Sequence, residues 1–337
     1  MSLSINTNVI SLTVQRHFNS TTDKMNDAME KMTTGFKINS AADDAAGYGV
    51  VKKMESVLST YDVASTNGQM GSSLLQTQEG VLEIIGSYLQ RIRDLTEQAA
   101  NGTYATSSRI AISSEVAQRM SEMNRLCDIT DFNGLKLLDG SQTDGVNLQV
   151  GINSGNENVI VLDKSLFASA KITALMKLNA TDNGAQSTST AAAADDTHKY
   201  EGETGKFYES AVLAQLAKDG IVVDGKIKED KMTITALCNS VFKNDNSARM
   251  FLDTIDLAVN DVTQRSTEIG SYMNRVDSAV ESIQIQQDNL TGAKSLIKDT
   301  DVAKISSQYL SYQILQQAGA TMLTTANQTP QIALNLI

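Results

Sequence analysis

Residues 252–297 read LDTIDLAVNDVTQRSTEIGSYMNRVDSAVESIQIQQDNLTGAKSLI. Stepping alternately by three and four from Leu252 lands on Ile255, Val259, Val262, Ser266, Ile269, Met273, Val276, Val280, Ile283, Gln287, Leu290, Lys294 and Ile297. Ser266, Gln287 and Lys294 alone break an apolar line. A repeat of this kind keeps one seam of a helix facing a partner helix, and at about 1.5 Å per residue it predicts a coiled-coil helix roughly 70 Å long. A single globular domain rarely holds such a helix, so the seam must be matched by other long helices.

The partners are legible upstream. Residues 70–100 place Leu75, Leu82, Ile85, Leu89 and Ile92 on one seam, widened by Val81, Ile84, Tyr88 and Leu95, and Asn101-Gly102 ends the run with turn chemistry. Residues 107–126 set Ile112, Val116, Met120 and Met123 at helical spacing. Phe18, Met25, Ala28 and Met32 outline an N-terminal helix that stops before Gly35, a candidate left-handed cap. Strand signals are confined to one region. Asn133-Gly134 and Asp139-Gly140 are turn dipeptides, Val146, Leu148, Val150 and Ile152 alternate, and Val159-Ile160-Val161-Leu162 follows a Gly/Asn turn. Residues 171–245 change character. A Ser/Thr/Ala-rich stretch at 181–196 reads as loop, and 206–216 and 231–242 read as parts of a small added domain. The fold class expected is mainly α: a long coiled-coil helical rod formed by both chain ends, a small β-hairpin region and a short variable α+β insertion.

Composition agrees with elongated helices. Of 337 residues 41% are apolar, but 5% are aromatic and none is Trp, a thin aromatic supply for a compact enzyme of this size. The one proline, Pro330, leaves almost nothing to interrupt long helices. A formal charge of −11 argues against nucleic acid, whose affinity rests on Lys and Arg neutralising phosphates. No run approaches the roughly 20 apolar residues that span a bilayer, so no membrane insertion is expected. The N-terminus lacks the basic region and apolar core of a cleaved secretory signal.

The two ends share a further property. Residues 1–15 carry no charge, and neither do residues 305–337. The C-terminal stretch nevertheless has apolar residues on nearly every face: Ile305, Tyr309, Leu310, Tyr312, Ile314, Leu315, Met322 and Leu323. A helix that is apolar all round needs partners all round. The chain offers one other uncharged terminal helix, so the remaining partners are expected to be neighbouring molecules. Charges are costly to bury between subunits, and their absence suits a polymer core.

No constellation for catalysis or cofactor binding emerges. His17 and His198 are the two histidines, neither near a cysteine in sequence, and Cys127 and Cys238 have no metal-ligand spacing; they read as two thiols, with a bridge between them left open. Asp43-Asp44 are adjacent, hence about 100° apart on a helix, and suit first-turn charges better than an acid–base pair. An EF-hand loop ending at Asn133-Gly134 would need an acid where Ile129 stands. Phosphate loops, nucleophile elbows and dinucleotide fingerprints are missing. Asn101-Gly102-Thr103 and Asn289-Leu290-Thr291 fit the glycosylation acceptor pattern, the second inside the coiled coil. The residues point to no enzyme and no cofactor.

Several ordered motifs resemble those of bacterial flagellins. Ile5-Asn6-Thr7-Asn8, Gly35-Phe36-Lys37-Ile38-Asn39-Ser40-Ala41 and Asp43-Asp44-Ala45-Ala46-Gly47 are similar to the family's N-terminal signature. Leu89-Gln90-Arg91-Ile92-Arg93-Asp94-Leu95 resembles its next motif, and Asp131-Phe132-Asn133-Gly134 the turn after its third helix. Ile314-Leu315-Gln316-Gln317-Ala318-Gly319, Met322-Leu323, Ala326-Asn327-Gln328 and Pro330-Gln331 resemble its C-terminus. The resemblance covers about residues 1–165 and 246–337. The chain departs from the family in its short outer insertion, its cysteines and its ending Leu334-Asn335-Leu336-Ile337.

The resemblance implies a secreted, extracellular structural subunit that self-assembles as a homopolymer of many copies into the flagellar filament for swimming motility, exported unfolded through the flagellar secretion channel. It implies residues 1–42 with 298–337 as a terminal helical core domain, 43–170 with 246–297 as a helical rod domain with hairpins, and 171–245 as a variable surface-exposed insertion. Filament-core assembly would fall to Ile5, Phe18, Met25, Tyr309, Ile314, Leu315, Met322 and Leu323. Implied partners are an export chaperone at the C-terminal helix, filament cap and hook-junction proteins, and a host Toll-like receptor, carried over to Gln90, Arg91, Leu95, Gln98 and Glu115. Thr96-Glu97 stands where strongly recognised members carry an apolar pair. Two rival readings are a hook–filament junction protein, which shares the coupled terminal helices, and a secreted enzyme carried on 171–245.

Overall fold

Asn8 opens the first helix, α1 (Val9–Thr34): its side-chain oxygen accepts the Ser11 N–H at 3.0 Å, taking up one of the donors a helix start leaves unpaired. Gly35 closes it at φ 74°, its N–H on the Lys31 carbonyl at 3.0 Å, a backbone setting in which a side chain would be strained. The computed structural model describes residues 8–176, 200–201, 207–208 and 231–334. The order is α1, α2 (Ala45–Ala100), α3 (Thr106–Ile129), β1 (Asp131–Phe132), β2 (Leu135–Lys136), β3 (Val146–Gln149), β4 (Val159–Leu162), α4 (Ile172–Leu175), β5 (Tyr200–Glu201), β6 (Phe207–Tyr208), α5 (Lys231–Val241), α6 (Asp245–Lys298) and α7 (Val302–Leu334). The expected mainly helical class with small hairpins is what the chain adopts. The loop reading at 181–196 lies outside the described residues.

The chain forms two compact units, Met1–Val63 with Ile283–Ile337, and Ala64–Ser282. In the first, α1 and α7 lie antiparallel. Asn8 Nδ2 donates to the Ala326 carbonyl at 2.7 Å, Ser11 Oγ to Asn327 Oδ1 at 2.8 Å and Gln316 Nε2 to Thr22 Oγ1 at 3.1 Å. The segments after α1 and before α7 exchange backbone bonds, Lys37 N to Lys298 O at 2.6 Å and Thr300 N to Gly35 O at 3.0 Å. Lys298 Nζ sits 4.3 Å from the Phe36 ring centre and 2.7 Å from Glu55 Oε1. That hydrogen bond, followed by one from Lys52, holds the Glu55 carboxyl at about 2.

α2 begins at Ala45, not near residue 70 as the seam suggests. Asp44 Oδ1 accepts from the Ala46 and Gly47 N–H groups at 3.1 and 3.0 Å, while Asp43 Oδ2 accepts from Ser40 and Asn39, whose amides hold its carboxyl below the usual range. The adjacent acids therefore bind backbone. The early part of α2 carries Gly47, Gly49 and Gly68, poor helix formers that tertiary packing overrides.

In the second unit α2 and α6 run antiparallel. A Cβ placed on Gly68 would stand 2.5 Å from Val280 Cγ2 and 3.9 Å from Val276 Cγ1, so the missing side chain lets the two helices close. Arg93 pairs with Asp256 at 2.7 Å farther along. On α2, Leu75, Leu82, Ile85, Leu89 and Ile92 have no exposed surface, and Val116, Met120 and Met123 of α3 are equally buried. Ile84, expected to widen the stripe, is 43% exposed instead, because the core lies on the side of Leu82 and Ile85.

The hairpins cap this core. β1 and β2 pair Phe132 with Leu135 around Asn133 (φ 51°) and Gly134 (φ 81°), and β3 pairs with β4 from Val146↔Leu162 to Gln149↔Val159. Buried Gln78 donates to the Leu137 and Leu166 carbonyls at 3.4 and 2.5 Å, and Arg265 Nη1 to the Ala168 carbonyl at 2.7 Å, pinning the irregular segments to α2 and α6. Ile172, Thr173, Leu175 and Met176 are buried, as are Ile234, Leu237, Cys238 and Val241 of α5, which packs on α3. Both flanks of the segment 171–245 thus belong to the same core. Neither cysteine carries a disulfide: both are buried, Cys238 Sγ lies 3.6 Å from Met120 Sδ, and burial pushes its thiol up to about 12.

Candidate assembly surface

α7 is nearly free of charge. Of residues 302–334 only Lys304 carries a charge. Its contact with α1 covers Ala326, 7% exposed, and brings Gly319 under the Phe18 ring, where an added Cβ would meet Cδ2 at 3.3 Å. Ala28 of α1, 3% exposed, marks the buried line on the other side. One neighbour can cover one stripe of a helix, and α1 is one neighbour.

The rest of the apolar surface stands out. Leu310, Ile314, Leu315 and Met322 are 54%, 66%, 53% and 63% exposed, and on α1 Val9, Ile10 and Leu12 are 64%, 54% and 57% exposed. Of the residues read from sequence as assembly positions, Phe18, Met25, Tyr309 and Leu323 are half-buried in the α1/α7 contact, while Ile314, Leu315 and Met322 point away from it. Ile5 lies outside the described residues. The sequence reading did not single out Val9, Leu12 or Val302, although the charge-free run 1–15 already contained the first two. Exposed apolar side chains thus recur on successive turns of both helices.

A second, polar surface lies on α2 and α3. Arg91 Nη2 and Glu115 Oε1 are 3.4 Å apart, and Arg119 Nη2 reaches the same oxygen at 2.9 Å. The hydrogen bond from Arg119 is the main reason that the Glu115 carboxyl is held below its usual range. Gln90 and Gln98 are exposed on the same helix as Arg91. Leu95 is 2% exposed and belongs to the core, so it can act on that face only by holding it. Thr96, also buried, returns its hydroxyl to the Ile92 carbonyl at 2.7 Å, and Glu97 pairs with Arg93 at 3.7 Å. Among the described residues no group of three His, Cys, Asp or Glu is placed to hold a metal ion. No described helix is long and apolar enough to cross a membrane.

Comparison with known proteins adds the following. The chain matches the family model described as the bacterial flagellin N-terminal helical region over residues 5–143, and that described as the C-terminal helical region over residues 252–337. Flagellin B of Vibrio anguillarum is 32% identical over 378 residues, covering 100% of both chains. Polar flagellin F of Vibrio parahaemolyticus is 30% identical over 385 residues, again covering 100% of both. The crystal structure of Bacillus cereus flagellin aligns at 20% identity with 68% of this chain and 94% of its own, with a TM-score of 0.41.

Proposed function

The chain belongs to the bacterial flagellin family, whose members are structural subunits of the flagellar filament, and from that premise we propose that its α1/α7 pair is the surface by which successive copies pack into the filament core. The observation that carries this reading is the exposure of Leu310, Ile314, Leu315 and Met322 on a helix with one charge. A monomer gains nothing from such a face, whereas burial of each large apolar side chain is worth about 1.5–3 kcal/mol. Phe18, Met25, Tyr309 and Leu323, half-buried on the two helices, hold the pair together.

The finer division follows the same logic. Residues 1–42 with 298–337 form a terminal helical core domain, 43–170 with 246–297 a helical rod domain with hairpins, and 171–245 a variable surface-exposed insertion, whose flanks are α4 and α5. The subunit is secreted unfolded through the flagellar channel. The uncovered α7 face is the natural seat for an export chaperone before assembly, and for cap and hook-junction proteins at the filament ends. A Toll-like receptor reading of Gln90, Arg91, Gln98 and Glu115 is supported by the Arg91–Glu115–Arg119 cluster, an exposed polar face bridging two helices. The protein works mechanically and performs no catalysis.

Seeded polymerisation tests the reading. Purified monomer mixed with sheared fragments of its own polymer is expected to grow long filaments visible by negative-stain electron microscopy. Monomer that stays monodisperse with seeds, at concentrations far above those of the seeds, contradicts it.

A further inference from the structure

Three Asn-Gly steps lie in the described residues, and the fold places each in a different backbone setting. Asn67-Gly68 is inside α2: Gly68 is buried, helical bonding occupies its N–H, and Asn67 Nδ2 donates to the Gln149 carbonyl at 3.2 Å. Asn133-Gly134 forms the two-residue turn of the β1–β2 hairpin. Asn133 is fixed at φ 51° between paired strands, and the Gly134 N–H donates to Asp131 Oδ2 at 3.1 Å. Asn101-Gly102 sits in the turn after α2. Both residues are exposed, nothing lies within 4 Å of where a Gly102 Cβ would stand, and the Gly102 N–H makes no hydrogen bond among the described residues.

We propose that Asn101 is a site of spontaneous deamidation, set apart from the other two steps by the geometry of its turn. The Gly102 nitrogen is the nucleophile and Asn101 Cγ the electrophile. Asn101 Oδ1 already accepts the Thr103 N–H at 3.1 Å, which folds the side-chain carbonyl over the Gly102 peptide. The same N–H faces the oxygen on which negative charge develops during attack, the arrangement that stabilises a tetrahedral intermediate. The N–Cγ bond forms and the Cγ–Nδ2 bond breaks. The Gly102 proton passes through solvent to the departing nitrogen, which leaves as ammonia, and the result is a five-membered succinimide. Water then opens the ring at either carbonyl, giving aspartate or isoaspartate; no oxidant or reductant takes part.

In the other two steps the fold blocks ring closure. At Asn67 the nucleophile's proton is held by the helix and the leaving nitrogen is tied to Gln149. At Asn133 the flanking strand pairs keep the backbone from swinging the Gly134 nitrogen onto Cγ. The product at Asn101 is a carboxylate at the C-terminal end of α2, unfavourable to the helix dipole. Two guanidinium groups lie on the flanking backbone, Arg249 Nε at 3.4 Å from the Ala100 carbonyl and Arg109 Nη1 at 2.9 Å from the Tyr104 carbonyl.

The test incubates the full folded chain at mildly alkaline pH and follows the peptides carrying Asn67, Asn101 and Asn133 by mass spectrometry, with enzymatic methylation of isoaspartate as a second readout. Asn101 is expected to convert at least about tenfold faster than either of the others, one decade of rate for each 1.4 kcal/mol of barrier. In the urea-unfolded chain the three rates should converge. Comparable rates in the folded chain, or a difference that persists in urea, would overturn the assignment of the effect to the fold.

Discussion

Val276→Asp is expected to unfold the Ala64–Ser282 unit and with it to abolish filament formation. Val276 has no exposed surface, and its Cγ1 lies where Gly68 brings α2 close to α6. A carboxylate there would be buried without a partner. Such groups cost several kcal/mol, against a whole-domain stability of about 5–15 kcal/mol. Ser266→Asp, at a seam position that is polar and half-buried, is expected to be far milder. Thermal melting of both purified variants decides the matter. A Val276→Asp chain that melts with the parent and still polymerises would mean that the seam does not carry the core.

The paired substitution Leu315→Asp with Met322→Asp is expected to do the reverse: leave the monomer's melting unchanged and stop polymerisation. The two side chains are 53% and 63% exposed in the single chain, so they contribute little to its folding. If each is buried against a neighbouring copy, their loss removes about 2–3 kcal/mol per subunit, a rise of roughly thirtyfold or more in the monomer concentration that sustains growth. Sedimentation of seeded reactions over a concentration series measures that shift. Polymerisation at the parental concentration would show that this face is not the packing surface.

The heptad line at 252–297 was readable because a coiled-coil seam repeats whatever the surrounding tertiary structure. Even so it does not distinguish its two rows. Ile255, Val262, Ile269 and Val276 are at most 4% exposed, whereas Leu252, Val259, Ser266, Met273 and Val280 are half-buried. Ser266 interrupts the second row, where a hydroxyl can still reach water. The first half of α2 was not readable, because Gly47, Gly49 and Gly68 lower helix propensity and the reason for Gly68 is a side chain more than 200 residues away. The exposed apolar face of α7, proposed above as the packing surface, follows from missing charge alone, since a helix without charges presents apolar side chains on every side and α1 covers one stripe. Leu95 shows the opposite case. Carried over by resemblance as a surface residue, it continues the period of Leu75, Leu82, Ile85, Leu89 and Ile92 into the core, as the helical spacing already implied.

If copies of the chain cover the apolar face of α7, hydroxyl-radical footprinting separates monomer from polymer. In monomer, Met322, Ile314 and Leu315 are expected to be labelled readily, as their exposure requires. In polymer their labelling should fall to the level of buried Met120 and Met123, which are inaccessible in both states. Undiminished labelling of Met322 in well-formed polymer would place the packing surface elsewhere on the molecule.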